Sequence, residues 1–282
     1  MPGVLAHAQA GALRWWYPEV LAVIFGFCTV YFYLVGPVRE RLGLADRIER
    51  RPMIFFTAAM AVMALAEATP LHGLSEDYLF SVHMLQHVLL TMVMPPLFIA
   101  GLPDWLVSYI LRWPGMRRVL TALTRPVVAL LAFNIVNAAW HLPYFYEAPL
   151  LTHWLHPVQH ALMVITALMM WWPLVSSSRE LPALSYGAQV VYIFLILLVQ
   201  LPVFAGITFA DSVFYEFYAQ APSVWGLSPL ADQQLAGVVM KLGGMIVMLS
   251  YMGRAFIRWV QEDRRELGPA PHSKGLGGSH AG

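Results

Sequence analysis

Ten of the 282 residues are histidines, and six of them gather in two short stretches of chain: His83, His87, His141, His153, His156 and His160. Two pairs, His83/His87 and His156/His160, share i,i+4 spacing. On a helix that spacing puts both imidazoles on one face, roughly 6 Å apart along the axis. Imidazole suits copper, zinc, iron and nickel, and thioether sulfur adds a preference for Cu(I). Met84, Met92, Met63, Met240 and Met245 are the methionines placed to offer sulfur. A lone histidine near a helix end is more often a hydrogen-bonded packing residue than a ligand. Two pairs at matched depth, with His141 as a fifth ring, shift the balance toward a metal. The methionines in so apolar a chain are mostly packing.

Those rings need elements to hold them. The chain is 59% hydrophobic and 12% charged, against about 25% charged for soluble domains. Seven apolar runs stand out, at 18–36, 53–69, 79–100, 126–146, 155–175, 186–210 and 234–257. A span needs about 20 apolar residues, and these runs are too long and continuous for barrel strands. The expectation is an all-α integral membrane bundle of seven transmembrane helices. Residues 1–17 would be an extracytoplasmic segment, 18–260 the bundle and 261–282 a disordered cytoplasmic tail. Only Arg14 precedes the first run, so it lacks the basic flank of a cleavable signal.

Orientation follows from the connections. Fifteen of the seventeen Lys and Arg fall in alternate connections and the C-terminal stretch, while the opposite connections carry only acids. The positive-inside rule then puts the N-terminus outside and the C-terminus in the cytoplasm. All six clustered histidines fall in the outer leaflet.

Several other positions carry expectations. Residues 104–113, DWLVSYILRW, read as a short amphipathic helix at the cytoplasmic interface. Pro95-Pro96 should bend or end regular helix in the third run. Lys241 is expensive within the seventh run unless it pairs, with Glu67 or Asp232 as partners. Asp232-Gln233-Gln234 can cap the start of that run. Asn134, Asn137 and Gln200 can hydrogen-bond between helices. Cys28, the one cysteine, reads as a small buried hydrophobe and excludes an intrachain disulfide or a thiolate cage. A net charge of +1 gives no attraction for nucleic acid.

Four stretches together resemble one family. SVHMLQHVLLTMVMPPLFIAGLP (81–103), WHLPYFYEAPL (140–150), HPVQHALMVITALMMWWPL (156–174) and DQQLAGVVMKLGG (232–244) are similar, in that order, to the CtaG-type multi-span cytochrome c oxidase assembly factors. The resemblance implies a bacterial plasma-membrane protein that matures a heme–copper oxidase during copper insertion, with oxidase subunits and the lipid bilayer as partners. It draws attention to His83, Met84, His87, His141, His160 and Asp232; Lys241 departs from the pattern. With His156 from the spacing argument, the candidate metal ligands are His83, His87, His141, His156, His160, Met84 and Asp232, and the candidate ion is copper.

Other readings compete. An intramembrane metal hydrolase could hold zinc with histidines and Asp232, but no HExxH motif or dedicated base is present. A b-type heme protein, a retinal-binding protein and a metal-free assembly scaffold are the remaining classes. No nucleophile with an adjacent base is evident, so the chain is not read as an enzyme. Oligomeric state is not written in the sequence.

Overall fold

The computed structural model describes residues 15–152, 154–222 and 224–266, all helix and loop with no strand among them. His153 and the two chain termini lie outside the described residues. Five helices are long and apolar enough to cross a membrane by themselves. They are α1 (Pro18–Arg41), α4 (Phe80–Ala100), α9 (Leu155–Val175), α10 (Tyr186–Thr208) and α12 (Pro229–Glu266). Two bent pairs add to these. One is α2 (Arg50–Glu67) with α3 (Pro70–Asp77), bent by 45°. The other is α6 (Met116–Leu123) with α7 (Pro126–Trp140), bent by 71°. Counting each pair as one span gives seven, at the positions of the seven apolar runs. The remaining helices are short: α5 (Asp104–Leu111), α8 (Pro143–Leu151) and α11 (Glu216–Ala219).

Helix α4 is the centre of the bundle. It contributes to all three large apolar clusters: with α7, α9, α10 and α12 through Val88, Met92 and Ile99; with α8, α10, α12 and the 215–218 loop through Phe80 and Met84; and with α1, α2 and α5 through Met94. Helix α1 sits at the periphery and exposes Phe25, Phe27 and Val30, as expected where lipid rather than water is the solvent. Glycines let α12 approach its neighbours. A Cβ on Gly237 would lie 2.9 Å from the Thr208 backbone nitrogen, and one on Gly243 would lie 2.9 Å from Val88 Cγ1. Small residues at such crossings are the usual means of close helix packing in membranes.

The double proline of α4 does not end the helix. A π-helical segment at Leu89–Val93 precedes it, and regular helix continues through Met94–Ala100. Pro95 has no N–H to give the Thr91 carbonyl; the Trp171 indole N–H of α9 donates to it instead, at 2.8 Å. Within the same stretch, Thr91 Oγ1 donates to the His87 carbonyl at 2.6 Å. The broken ladder is thus satisfied from outside, the condition for irregular backbone at membrane depth.

Several expectations change. The fourth run does not continue to 146: α7 stops at Trp140, where Pro143 opens α8. Helix α12 extends to Glu266, past residue 260. Helix α5 buries Leu106, Val107 and Leu111 under the bundle, and its Asp104 accepts from the Arg179 N–H at 2.8 Å. Cys28 is half-buried. Asn134 returns its amide to the Leu130 carbonyl of its own helix rather than bridging to another. Lys241 pairs with neither Glu67 nor Asp232. Its ammonium lies 5.4 Å above the Phe204 ring, and both carboxylates are occupied elsewhere.

Candidate metal centre

Histidines of α4 and α9 meet at the end of the bundle away from the arginine-rich connections. His83 and His87 share one face of α4, their Nε2 atoms 2.9 Å apart and their rings edge to face at 4.4 Å. The His160 ring of α9 lies 5.8 Å from His83 and 5.3 Å from His87. One ring nitrogen from each of the three lies within 4.8 Å of one from both others. All three are buried.

Hydrogen bonds on the far side of the His83 and His160 rings fix which nitrogen is bare. Tyr218 has a single hydroxyl proton, and it goes to the Ser75 carbonyl at 2.7 Å, an atom that can only accept. His83 Nδ1, 3.1 Å from the same hydroxyl oxygen, therefore donates to it. His160 Nδ1 donates to Glu67 Oε1 at 2.8 Å. Each neutral ring then presents an unprotonated Nε2, and that of His160 is buried without a hydrogen-bond partner. A histidine whose outer N–H is held by a carboxylate or oxygen acceptor while its other nitrogen points inward is the usual second layer of a metal site.

His87 differs. Its Nε2 faces His83 Nε2, and its Nδ1 is buried without a partner. With no ion between the rings, His87 Nε2–H can donate to His83. An ion would need that nitrogen bare, which moves the proton to Nδ1. Two nitrogens each about 2.0 Å from one ion stand about 2.9 Å apart when the bond angle is about 90°, so the spacing of this pair suits a shared ion. His87 lines a cavity of about 20 Å³ together with Met92, His141, Gln200 and Met240. That is room for one water. His141 Nδ1 donates to the Asn137 carbonyl at 2.6 Å. Its Nε2 and the Gln200 amide nitrogen are left without partners.

Asp232 holds this assembly in place from α12. Its Oδ2 accepts from the Phe80 N–H at 2.7 Å and its Oδ1 from the Ser81 N–H at 3.2 Å. The Ser81 hydroxyl donates to the same Oδ1. This carboxylate caps α4, not its own helix, and negative charge is favourable at a helix N-terminus. Beside it, Gln233 accepts from the Phe214 N–H at 2.7 Å and donates to the Ser212 carbonyl, and Gln234 donates to the Ala210 carbonyl. The three residues thereby anchor the start of the histidine helix and the loop that leads to Tyr218.

The model of the cytochrome c oxidase caa3 assembly factor family, Caa3_CtaG, matches residues 29–262. The chain belongs to this family. Among curated proteins, this caa3 assembly factor family member is 25% identical over 233 residues to uncharacterized proteins of Mycobacterium bovis and Mycobacterium tuberculosis, covering 75% of its own length and 33% of theirs. A Mycobacterium leprae protein, also uncharacterized, is 27% identical over 256 residues, covering 83% of this chain and 38% of that one. The chain thus spans about a third of the length of the curated relatives it matches. No solved structure matches it.

The seven candidate ligands of this family member do not stay together. His83, His87 and His160 form the triad. His141 contributes to the cavity behind His87. His156 faces a different cluster, with His72 and Glu76. Met84 is fully buried among Phe80, Tyr146, Tyr215 and Phe204, a packing position. Asp232 spends both oxygens on α4. Sequence reasoning missed Glu67 as the partner of His160, Tyr218 as the partner of His83, and His72 and Glu76 altogether. A signal existed for the acids. Glu67 and Glu76 flank a Thr-Pro helix start, and such carboxylates close to a helix end invite the question of what they pair with.

Proposed function

We propose that this protein binds a copper ion through His83, His87 and His160 and passes it to a heme–copper cytochrome c oxidase under assembly. The observation that carries this reading is the orientation of the triad. The outer N–H of His83 and of His160 is held by an oxygen acceptor, and the bare nitrogens converge with His87 in a buried space. Membership in the caa3 assembly factor family supplies the oxidase as the destination. The arginine-rich connections support a triad near the outer face of a bacterial plasma membrane.

The donor set suits cargo rather than a permanent cofactor. Three neutral imidazoles leave the ion's charge to be balanced by carboxylates outside the ligand set, chief among them Glu67, acting through His160. No thiolate and no directly bound carboxylate retains the ion. His87 supplies the proton bookkeeping: binding moves its proton to Nδ1, and release returns it to the His83–His87 hydrogen bond. A space of about 20 Å³ beside His87 has no room for a porphyrin, so a heme is not favoured there.

Two measurements test the proposal. Copper content after gentle purification should be lower in His83→Ala/His87→Ala than in the wild type by about one ion per chain. In a deletion strain, oxidase activity should fall and recover on copper supplementation. Equal, near-zero copper in both proteins, with the double variant still supporting oxidase assembly, would overturn copper handling in favour of a scaffold.

A further inference from the structure

A second cluster of metal-ligating groups lies beside the first. His72 and Glu76 on α3 and His156 on α9 each offer an atom within 4.8 Å of the other two. His156 Nε2 and Glu76 Oε1, both buried atoms, lie 2.7 Å apart in an ion-pair contact. His156 is itself more than nine-tenths buried. A carboxylate and an imidazole nitrogen held this close, with a second imidazole beside them, form a donor set that one divalent cation can share.

The two clusters are arranged in sequence from solvent to core. The Glu76 side chain is 23% exposed, His72 and His156 are less so, and His83 is fully buried. The His72 and His156 rings are 5.8 Å apart. His156 stands one helical turn from His160, ring to ring at 4.2 Å, and 6.1 Å from His83. Gln86, between His83 and His87 on α4, links the supports of both clusters. Its amide nitrogen lies 2.9 Å from His72 Nδ1 and 3.2 Å from Glu67 Oε1.

We propose that His72, Glu76 and His156 form an entry site for divalent copper, from which the ion steps through His156 and His160 to the buried triad. This deepens the copper reading above and rests on it. Two imidazoles and a carboxylate suit a divalent ion of the copper or zinc type, whereas Cu(I) prefers sulfur. The bound negative charge at Glu76 favours capture at the exposed end. Its absence from the inner ligands leaves the ion free to move on.

The test is Cu(II) titration of the purified full-length chain in lipid nanodiscs, followed by calorimetry and electron paramagnetic resonance. The wild type should take two ions and show a half-field signal from the close pair. His72→Ala/Glu76→Gln should take one ion and lose that signal. Its triad should fill to the same final level but roughly tenfold more slowly or worse, the scale seen when carboxylate partners of metal sites are removed. Glu76→Asp, which keeps the charge, should restore part of the rate and guards against a merely unfolded double variant. His83→Ala/His87→Ala should retain the outer ion alone. If the outer double variant loads its triad at the wild-type rate, or if the wild type takes one ion that only the His83/His87 variant removes, the entry site is wrong and the triad stands. If the wild type takes none, the copper reading itself fails.

Discussion

Glu67 on α2 and His160 on α9, 93 residues apart in the chain, are joined by a 2.8 Å contact between the carboxylate and the ring Nδ1. The pair sets the direction of the only triad ligand that does not come from α4. It also brings a carboxylate directly against a triad ring. Replacing Glu67 with Gln leaves an acceptor for Nδ1–H but removes the charge. Copper affinity should fall by about 10- to 100-fold, the range for outer partners of metal ligands. Competition against a coloured chelator measures it, and an unchanged affinity would show that Glu67 merely packs.

Trp171 and Pro95 form a second long-range dependence. Trp171→Phe removes the donor that satisfies the Thr91 carbonyl, leaving a buried acceptor at a cost of about 1–3 kcal/mol. Pro95→Ala restores a backbone N–H four residues after Thr91. The double variant should therefore be more stable than Trp171→Phe alone. A thermodynamic cycle from reversible unfolding in detergent decides the point; simple additivity would mean the indole contributes through packing only.

Asp232 should act through α4. Asp232→Ala strips the acceptor from the Phe80 and Ser81 amides, and loss of a helix cap costs about 1 kcal/mol. Because α4 carries His83 and His87, copper binding should weaken along with thermal stability. Asp232→Asn keeps an acceptor and should recover most of both. Were Asp232→Asn to abolish copper binding in a protein of wild-type stability, the residue would be a ligand rather than an anchor.

Protons compete with copper for imidazole nitrogen. Free histidine titrates near about 6.5, so occupancy of a three-imidazole site should drop as pH is lowered through about 6 and be full at about pH 8. The sign follows from the ligand being the neutral ring: each added proton removes a lone pair. Affinity that stays constant across that range would exclude histidine ligation.

The spans were legible because lipid leaves the backbone few choices. A run of about 20 apolar residues has to satisfy its own amides, and five of the seven runs coincide with helices long and apolar enough to cross a membrane, the other two with bent helix pairs. The His83/His87 pairing was legible for a similar reason, since the helical period alone puts i and i+4 on one face. The division of the histidines was not. Spacing makes His156 and His160 equivalent; the approach of α2 and α3 separates them, one to Glu67 and the other to Glu76. Nor could sequence reveal that Asp232 serves a helix that starts 152 residues earlier, or that the break at Pro95 would be repaired by an indole on another helix. Local periodicity is a property of neighbouring residues and can be read along the chain. Which carboxylate, carbonyl or hydroxyl meets the far side of a given ring depends on how helices distant in sequence pack, and that contact determines where each ring's lone pair points.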